Sequence, residues 1–165
     1  MIKIKYSSQK KVIVTYELFG NISSMKIYFA GAIRGGRDET DIYNNIITYL
    51  SSKAEVLTEH VGSSELTTIG ETNRSDVEIF LRDMEWLQSA DLIIAEVTIP
   101  SLGVGYELGI AAKLNIPVLC LYRTIKGKRL SAMISGNEKF KCQTYKTLDE
   151  AKIHINNFLK QEQKV

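Results

Sequence analysis

The chain has 165 residues, 44% of them hydrophobic, and 21 basic against 19 acidic side chains give a formal net charge of +2. This length suits one domain with a single sizeable core. The balanced charge, without a basic aromatic groove, argues against nucleic-acid binding. The apolar runs are too short to span a membrane.

Cys120 and Cys142 have neither metal-site nor redox spacing. Cys120 lies in the apolar run Pro117–Leu121, so we expect it to fill the core. A reduced compartment follows as the default: the cytoplasm, with the nucleus as a second location.

Residues 1–24 mix lysines with short apolar groups and lack the continuous apolar stretch of a signal peptide. A good strand begins directly after Met25. We therefore predict an N-terminal extension over residues 1–24 and one domain over residues 25–165.

From Met25 onward, strand patterns alternate with helix patterns. Strands are predicted at Lys26–Ala30, Glu55–Thr58, Asp91–Val97, Pro117–Leu121 and, more weakly, Gln143–Tyr145. Apolar positions at helical spacing mark four helices, with inward-facing residues Ile42, Ile46, Tyr49 and Leu50; Val77, Phe80, Leu81, Met84 and Leu87; Leu108, Ala111, Ala112 and Leu114; and Leu148, Ala151, Ile155, Phe158 and Leu159. A short segment, Leu130–Ile134, precedes the last strand.

This alternation predicts an α/β protein with a flavodoxin-like or Rossmann-like three-layer fold. Its five-stranded parallel sheet should have the order 2-1-3-4-5. The ligand crevice of such a sheet lies where strands one and three diverge. Two glycine-bearing loops, Gly31–Gly36 and Pro100–Gly105, follow those two strands. Ser101 is a plausible N-cap for the third helix, whose first N–H groups would suit an anion.

Neither loop is a standard nucleotide motif. The chain has no GxxxxGK[ST] sequence, and Gly31, Gly35 and Gly36 do not have GxGxxG spacing. Ser101 is not part of a GxSxG elbow, and no metal-ligand spacing occurs. What remains is carboxylates, hydroxyls and backbone donors, so we expect no metal and no cofactor.

Two carboxylates carry the strongest chemical signal. Glu107 is expected in the first turn of its helix, where the dipole would keep it ionised and available as a nucleophile. Asp83 is expected on the shoulder of an apolar stripe, where partial burial would raise its pKa and favour a proton donor. Two carboxyl groups whose surroundings give them different pKa values can act as an acid and a nucleophile, as in retaining glycosidases. Each alone is more often a solvated helix residue.

Four blocks of the chain resemble one family. The segments YFAGAIRGGR (28–37), VLTEHV (56–61), RDMEWLQSADLIIAEVTIPSLGVGYELG (82–109) and LSAMI (130–134) are similar to the 2′-deoxynucleoside 5′-monophosphate N-hydrolases of the Rcl family. Those enzymes belong with the nucleoside 2-deoxyribosyltransferases. The resemblance runs from about Met25 to the last helix, and residues 1–24 have no counterpart in it.

The resemblance implies catalytic roles for three residues. Glu107, in GYELG, matches the nucleophile that attacks the anomeric carbon and carries a covalent 2-deoxyribosyl 5-phosphate. Asp83, in RDMEWL, matches the carboxylate that protonates or holds the leaving base. Tyr28 matches the tyrosine that orients the nucleophile, although a strand tyrosine is more commonly a core residue. His60 matches a histidine near the base.

Phosphate recognition is implied for further residues. Ser101 and Gly103 match the phosphate-binding turn, and Ser131, in LSAMI, matches a ligand that reaches in from the second subunit of a homodimer. Residues of the first glycine loop are expected to contact the substrate: Gly31, Ile33, Arg34 and Gly35. Where the family often has Gly-Ser-Ile-Arg, this chain has alanine at position 32. The lost hydroxyl should weaken substrate binding by about 1 kcal/mol.

The resemblance therefore implies hydrolysis of a 2′-deoxynucleoside 5′-monophosphate to a free base and 2-deoxyribose 5-phosphate. Three alternatives stay open: transfer of the sugar to another base, hydrolysis of a ribonucleotide such as CMP, and a nucleotide-binding module without catalysis. A cytokinin-activating phosphoribohydrolase is disfavoured because its PGGxGTxxE pattern is missing. Residues 62–73 and Ile33 are expected to shape the base pocket, but they do not reveal which base is preferred.

Overall fold

A computed structural model describes residues 25–33, 40–62, 71 and 73–163; the predicted extension at residues 1–24 lies outside them. The strands of this part are β1 (Lys26–Ala30), β2 (Glu55–Val56), β3 (Leu92–Glu96), β4 (Val118–Arg123) and β5 (Phe140–Tyr145). The α-helices are α1 (Thr40–Ser51), α2 (Asp76–Ser89), α3 (Leu102–Leu114), α4 (Ala132–Ser135) and α5 (Leu148–Glu162). A 3-10 turn, Glu59–Gly62, follows β2.

The five strands form one parallel sheet in the order β2-β1-β3-β4-β5, which confirms the predicted topology. The central pair, β1 and β3, aligns Tyr28 with Ile93 and Ala30 with Ala95. The weakly predicted β5 is a full strand of six residues. Within the described residues, we find no helix with the length and apolar character that crossing a bilayer requires.

Strand β2 is shorter than predicted, because its last residues turn away from the sheet. Thr58 remains fully buried and completes the edge with its side chain. Its hydroxyl accepts a hydrogen bond from the Phe29 N–H at 2.8 Å and donates to the Phe29 carbonyl at 2.7 Å. One side chain thus satisfies both backbone groups of Phe29, as a paired strand would.

The core has two parts, one on each face of the sheet. One part packs β1 against α1 and α5 through buried residues such as Phe29, Ile46, Leu50, Ile155 and Phe158. The other packs the sheet against α2 and α3 and includes Met84, Leu87, Leu108, Ala111 and Cys120. The expectation that Cys120 fills the core is confirmed, since it is fully buried.

Helix α2 begins with a capping box, in which Ser75 and Glu78 bond each other's backbone N–H groups. Its predicted apolar stripe is only partly correct. Met84 and Leu87 are buried, whereas Val77, Phe80 and Leu81 are 66%, 48% and 60% exposed. These three residues lie in the first half of the helix, whereas its buried residues lie in the second half. Their exposed side chains can form part of a binding surface.

Helix α3 begins at the predicted N-cap, and the Ser101 hydroxyl accepts a hydrogen bond from the Val104 N–H. Leu108 and Ala111 are buried as expected, but Leu114 is 47% exposed. It is the last residue of the helix and precedes Asn115, whose left-handed conformation ends it.

A buried carboxylate, Glu96, fixes the turn that leads from β3 to α3. It is fully buried and accepts hydrogen bonds from the Thr98 N–H at 3.2 Å and the Tyr145 hydroxyl at 3.0 Å. The Thr98 hydroxyl also bonds Glu96 and accepts from the Arg123 N–H at 2.7 Å. Strands β3, β4 and β5 are therefore tied together immediately before Pro100.

Candidate active site

A cleft of about 620 Å³ opens where the loops after β1 and β3 meet. The β1 loop contributes Gly31 and Ile33, and the β3–α3 turn contributes Pro100 to Val104. The opposite side is closed by Asp76, Ile79, Phe80 and Asp83 of helix α2 and by Glu71 from the segment before it. Glu107 lies in the same cleft. The described loops meet at the position that the strand order predicted.

Tyr28 and Glu107 meet at the floor of this cleft. Tyr28 is 2% exposed, and its hydroxyl donates a hydrogen bond to Glu107 Oε1 at 3.0 Å. Burial, and secondarily the Glu107 charge, raises the pKa of Tyr28, so its hydroxyl remains a proton donor. This hydrogen bond joins strand β1 to helix α3, between residues that are 79 positions apart in the sequence.

Glu107 differs from our expectation in position and in proton affinity. It is the sixth residue of α3 and therefore lies in the second turn, beyond the strongest influence of the helix end. Burial raises its pKa from 4.5 to about 7; the Tyr28 hydrogen bond opposes this rise and the Asp83 charge adds to it. Burial therefore works against the ionisation that we expected the helix end to favour.

Asp83 also has surroundings that the sequence did not indicate. We expected it beside apolar neighbours, but Arg82 contacts it directly. Arg82 Nε and Nη2 donate to the same oxygen, Asp83 Oδ1, at 2.9 and 2.8 Å. Asp83 lines the cleft, and its charge acts on both Tyr28 and Glu107. The three predicted catalytic residues are therefore neighbours in space.

Arg82 also connects Asp83 to Glu71 and His60. Its Nη1 and Nη2 donate to the two Glu71 carboxylate oxygens at 2.8 and 2.6 Å. This pair lowers the pKa of Glu71. His60 Nε2 lies 3.4 Å from Arg82 Nη2 and 3.4 Å from Glu71 Oε1. Burial, followed by the Arg82 charge, lowers the pKa of His60 and favours the neutral imidazole. His60 thus lies behind the cleft wall.

The turn after β3 presents the start of α3 to the cleft. The first N–H groups of a helix have no intrahelical acceptor, and the Ser101 hydroxyl accepts one of them, from Val104, at 3.4 Å. A Cβ added at Gly103 would meet only the Ser101 hydroxyl, at 3.8 Å, so this position stays open for a ligand. A Cβ at Gly31 would lie 3.2 Å from the Phe29 ring, so a larger residue there would require that ring to shift by a few tenths of an ångström. Arg34 and Gly35 lie outside the described residues.

Ser131 is not part of this cleft. It is exposed and lines a second cavity, of about 450 Å³, together with Ser101, Arg129 and Met133. The β3–α3 turn separates the two cavities, because Pro100, Ser101, Leu102 and Val104 line both.

Sequence reasoning gave no individual role to three contacting residues, Glu71, Arg82 and Trp86. Glu71 nevertheless lies within residues 62–73, which were expected to shape the base pocket, and it lines the cleft. The Arg82 guanidinium carbon lies 4.6 Å from the Trp86 ring centroid, and the His60 ring lies 5.7 Å from it. Arg82 precedes the predicted Asp83 and could have been suggested by that adjacency. No pattern in the sequence indicates that Glu71 forms an ion pair with Arg82 on helix α2.

Comparison with known proteins supports the fold and the family. A family model described as nucleoside 2-deoxyribosyltransferase matches residues 27–159. A 5-hydroxymethyl-dUMP N-hydrolase from Tetraodon nigroviridis is 54% identical over 113 residues, which cover 68% of this chain and 80% of that protein. A putative 2′-deoxynucleoside 5′-phosphate N-hydrolase from Nematostella vectensis is 52% identical over 138 residues, 81% of this chain and 93% of that protein.

Among solved structures, the Clostridium botulinum CMP N-glycosidase superposes with a TM-score of 0.55 at 16% identity, covering 79% of this chain and 98% of that one. At this identity the likeness shows the fold alone. The family resemblance read from the four sequence blocks is confirmed by the family model and the relatives. The chain belongs to the nucleoside 2-deoxyribosyltransferase family.

Proposed function

We propose that this protein hydrolyses the N-glycosidic bond of a 2′-deoxynucleoside 5′-monophosphate, with Glu107 as the nucleophile. The observation that carries the assignment of residues is the hydrogen bond from the buried Tyr28 hydroxyl to Glu107, in a cleft that Asp83 also lines. Relatives about half identical in sequence are named as N-hydrolases of such nucleotides, which supports the substrate class.

In the first step, the ionised Glu107 carboxylate attacks the anomeric carbon. The carbon–nitrogen bond breaks, and its electron pair leaves with the base. We propose that in the reactive form Asp83 carries the proton of the two carboxyl groups and passes it to the base. Tyr28 donates to one Glu107 oxygen and leaves the other for the sugar. Glu107 also stabilises the positive charge that develops on the sugar ring.

In the second step, water attacks the same carbon and returns its proton to Asp83. The sugar–Glu107 bond breaks, which releases 2-deoxyribose 5-phosphate and restores both carboxyl groups. A sugar without a 2′-hydroxyl suits this route, because no electron-withdrawing group opposes the oxocarbenium-like transition state.

The 5′-phosphate is proposed to bind at the start of α3, at Ser101 and the open Gly103 position. We also propose that the substrate contacts residues of the loop after β1: Gly31, Ile33, Arg34 and Gly35. Phosphate binding is remote from the reacting carbon, so a nucleoside without phosphate should lose turnover as well as affinity.

A substrate panel tests the reaction directly. Purified protein is incubated with 5-hydroxymethyl-dUMP, dUMP, dGMP and CMP, and the released base is measured by mass spectrometry. We expect release from at least one deoxynucleotide, and none from the corresponding nucleoside at equal concentration. An added second base that becomes joined to the sugar would instead indicate transfer. No release from any deoxynucleotide by the folded protein would contradict the proposal.

We further propose that the active form is a homodimer in which Ser131 of one subunit contacts the phosphate in the other. Ser131 is exposed and lies outside its own chain's cleft. Helices α2, α3 and α4 also carry large exposed apolar side chains that a second copy would cover: Val77, Phe80, Leu81, Leu102, Tyr106 and Met133.

Complementation between two variants tests this arrangement. Glu107→Gln lacks the nucleophile and Ser131→Ala lacks the donated hydroxyl, so each homodimer has two defective sites. A mixed dimer has one site with both residues intact. Random mixing should therefore restore about a quarter of the wild-type sites. Activity that never exceeds the sum of the separate variants, although subunits exchange, would show that Ser131 does not act across the interface.

A further inference from the structure

We infer that Arg82 is a positioning residue for the reaction: it holds Asp83 and Glu71 in place on the α2 side of the cleft. This inference rests on the proposed hydrolysis. It concerns a residue that is not among those that line the cleft.

The geometry shows how one guanidinium orients Asp83. Both of its bonds to Asp83 end on Oδ1, so the second carboxylate oxygen is left for a group in the cleft. Two guanidinium donors that converge on one oxygen anchor that oxygen more firmly than a single donor can. Without Arg82, the Asp83 side chain could rotate, and its free oxygen would no longer point consistently at the leaving base.

The same guanidinium fixes Glu71. Arg82 bonds both Glu71 oxygens, and the side chains of the two residues are only 16% and 14% exposed. This burial distinguishes the pair from surface ion pairs, which contribute little. Glu71 lies in the cleft wall beside Asp83. Arg82 therefore ties the segment before α2 to the catalytic face of that helix.

The guanidinium is itself held in place. It lies over the Trp86 ring at 4.6 Å, one helical turn further along α2. His60 contacts its Nη2 from the chain that follows β2. Arg82 therefore has contacts on its face and its edges without any bound ligand.

Arg74 offers a matched control. It contacts the same Glu71, with 3.6 Å between Arg74 Nε and Glu71 Oε2, but its side chain is 49% exposed and no bond joins it to Asp83. Arg74→Ala removes the same charge from the same cluster. If only local charge matters, Arg74→Ala and Arg82→Ala should behave alike.

The main test is a double-mutant cycle between Arg82→Ala and Asp83→Asn. Alone, Asp83→Asn should lower kcat about 100-fold or more and Arg82→Ala about 10- to 100-fold. Because Arg82 is proposed to act through Asp83, adding Arg82→Ala to Asp83→Asn should cost less than about 3-fold. Arg82→Lys should restore part of kcat, and Arg74→Ala should leave it near the wild-type value.

Two results would overturn the inference. One is an Arg82→Ala variant as active as wild type. The other is multiplication of the two losses in the double variant, which indicates a general structural defect. Failure of the proposed hydrolysis is a separate result, since wild-type protein would then release no base.

A measurement that needs no substrate tests the inference even if a variant is inactive, and it also shows whether the variant is folded. Trp86 is the single tryptophan of the chain, so its fluorescence reports on this cluster. Arg82→Ala should increase quenching of Trp86 by acrylamide while the far-UV circular dichroism stays native. Arg74→Ala should change neither. Unchanged quenching in Arg82→Ala would show that the guanidinium does not order its surroundings, and the inference would fail.

Discussion

The two faces of the sheet use apolar side chains differently. On the face covered by α1 and α5, the residues predicted to point inward do so, and Ile46, Leu50 and Ile155 are completely buried. On the face covered by α2 and α3, Val77, Leu81 and Leu102 are 66%, 60% and 96% exposed. The cleft opens on this second face. The first face serves stability, whereas the second leaves side chains and N–H groups exposed, and we propose that substrate and a second subunit bind there.

The largest expected effect is on catalysis at the second face. Glu107→Gln keeps the shape of the side chain but removes the attacking oxygen's charge, so kcat should fall by about 10⁴-fold or more. Wild-type enzyme quenched during turnover should carry a sugar phosphate on the peptide that contains Glu107. Full activity of Glu107→Gln, or an adduct on another residue, would contradict its role as the nucleophile.

A pair of leucine variants tests the contrast between the faces directly. Leu50→Ala creates a cavity in the α1–α5 core and should lower the free energy of unfolding by about 2–5 kcal/mol. Leu81→Ala removes a side chain that is 60% exposed and should change the unfolding of the monomer by less than about 0.5 kcal/mol.

Urea denaturation of both variants, at concentrations where the protein is monomeric, measures this difference. Analytical ultracentrifugation of Leu81→Ala measures dimer affinity, which should weaken. Equal destabilisation by the two substitutions would mean that α2 packs as tightly as α1, and the functional explanation of its exposed side chains would be lost.

The same contrast explains what the sequence could predict. Patterns such as Ile46, Leu50 and Ile155 report burial against one sheet face, so they locate the helices. The alternation of these helices with strands then predicts the parallel sheet and its strand order. The pattern of Val77, Phe80 and Leu81 is equally apolar, but periodicity does not specify what covers a side chain. Glu107 could be located from the resemblance, whereas its raised pKa depends on burial by the assembled fold. The Arg82–Glu71 pair joins residues whose contact no local pattern encodes.

Burial of Glu107 should reduce stability above neutral pH. Its folded-state pKa of about 7 exceeds the usual 4.5, so the folded protein binds this proton more tightly than the unfolded chain does. The contribution of protonated Glu107 to the free energy of unfolding is therefore fully present below about pH 4.5 and is lost as the pH rises through about 7. At pH 8, Glu107→Gln should be more stable than wild type by up to about 3 kcal/mol.

Thermal unfolding at pH 5 and pH 8 measures this effect. The advantage of Glu107→Gln should be clearly larger at pH 8. Glu85→Gln is the matched control, since Glu85 is an exposed helix carboxylate and should show no such dependence. An advantage that is the same at both pH values would place the origin of the stability change elsewhere.

Tyr28→Phe should change activity less, and in a pH-dependent way. The Tyr28 hydroxyl lowers the pKa of Glu107 by donating to it, against the larger effect of burial. Without that donor, the pKa of Glu107 should rise. The acid limb of kcat/KM, which follows ionisation of Glu107, should then move to higher pH, with a loss of about 10-fold at pH 7. A limb that stays in place while activity falls would assign Tyr28 a role other than supporting the Glu107 anion.

The smallest expected effect belongs to the β1 loop, where Ala32 occupies the position at which the family often has serine. Ala32 is completely buried, so a hydroxyl there has to find an acceptor nearby, and bound phosphate would supply one. Ala32→Ser should lower KM for the nucleotide about 5-fold, the equivalent of one neutral hydrogen bond, and leave kcat unchanged. Inhibition by inorganic phosphate should strengthen in parallel. An unchanged KM would show that backbone N–H groups and the α3 terminus hold the phosphate without help from position 32, and a lower melting temperature would show that the buried hydroxyl remains unsatisfied.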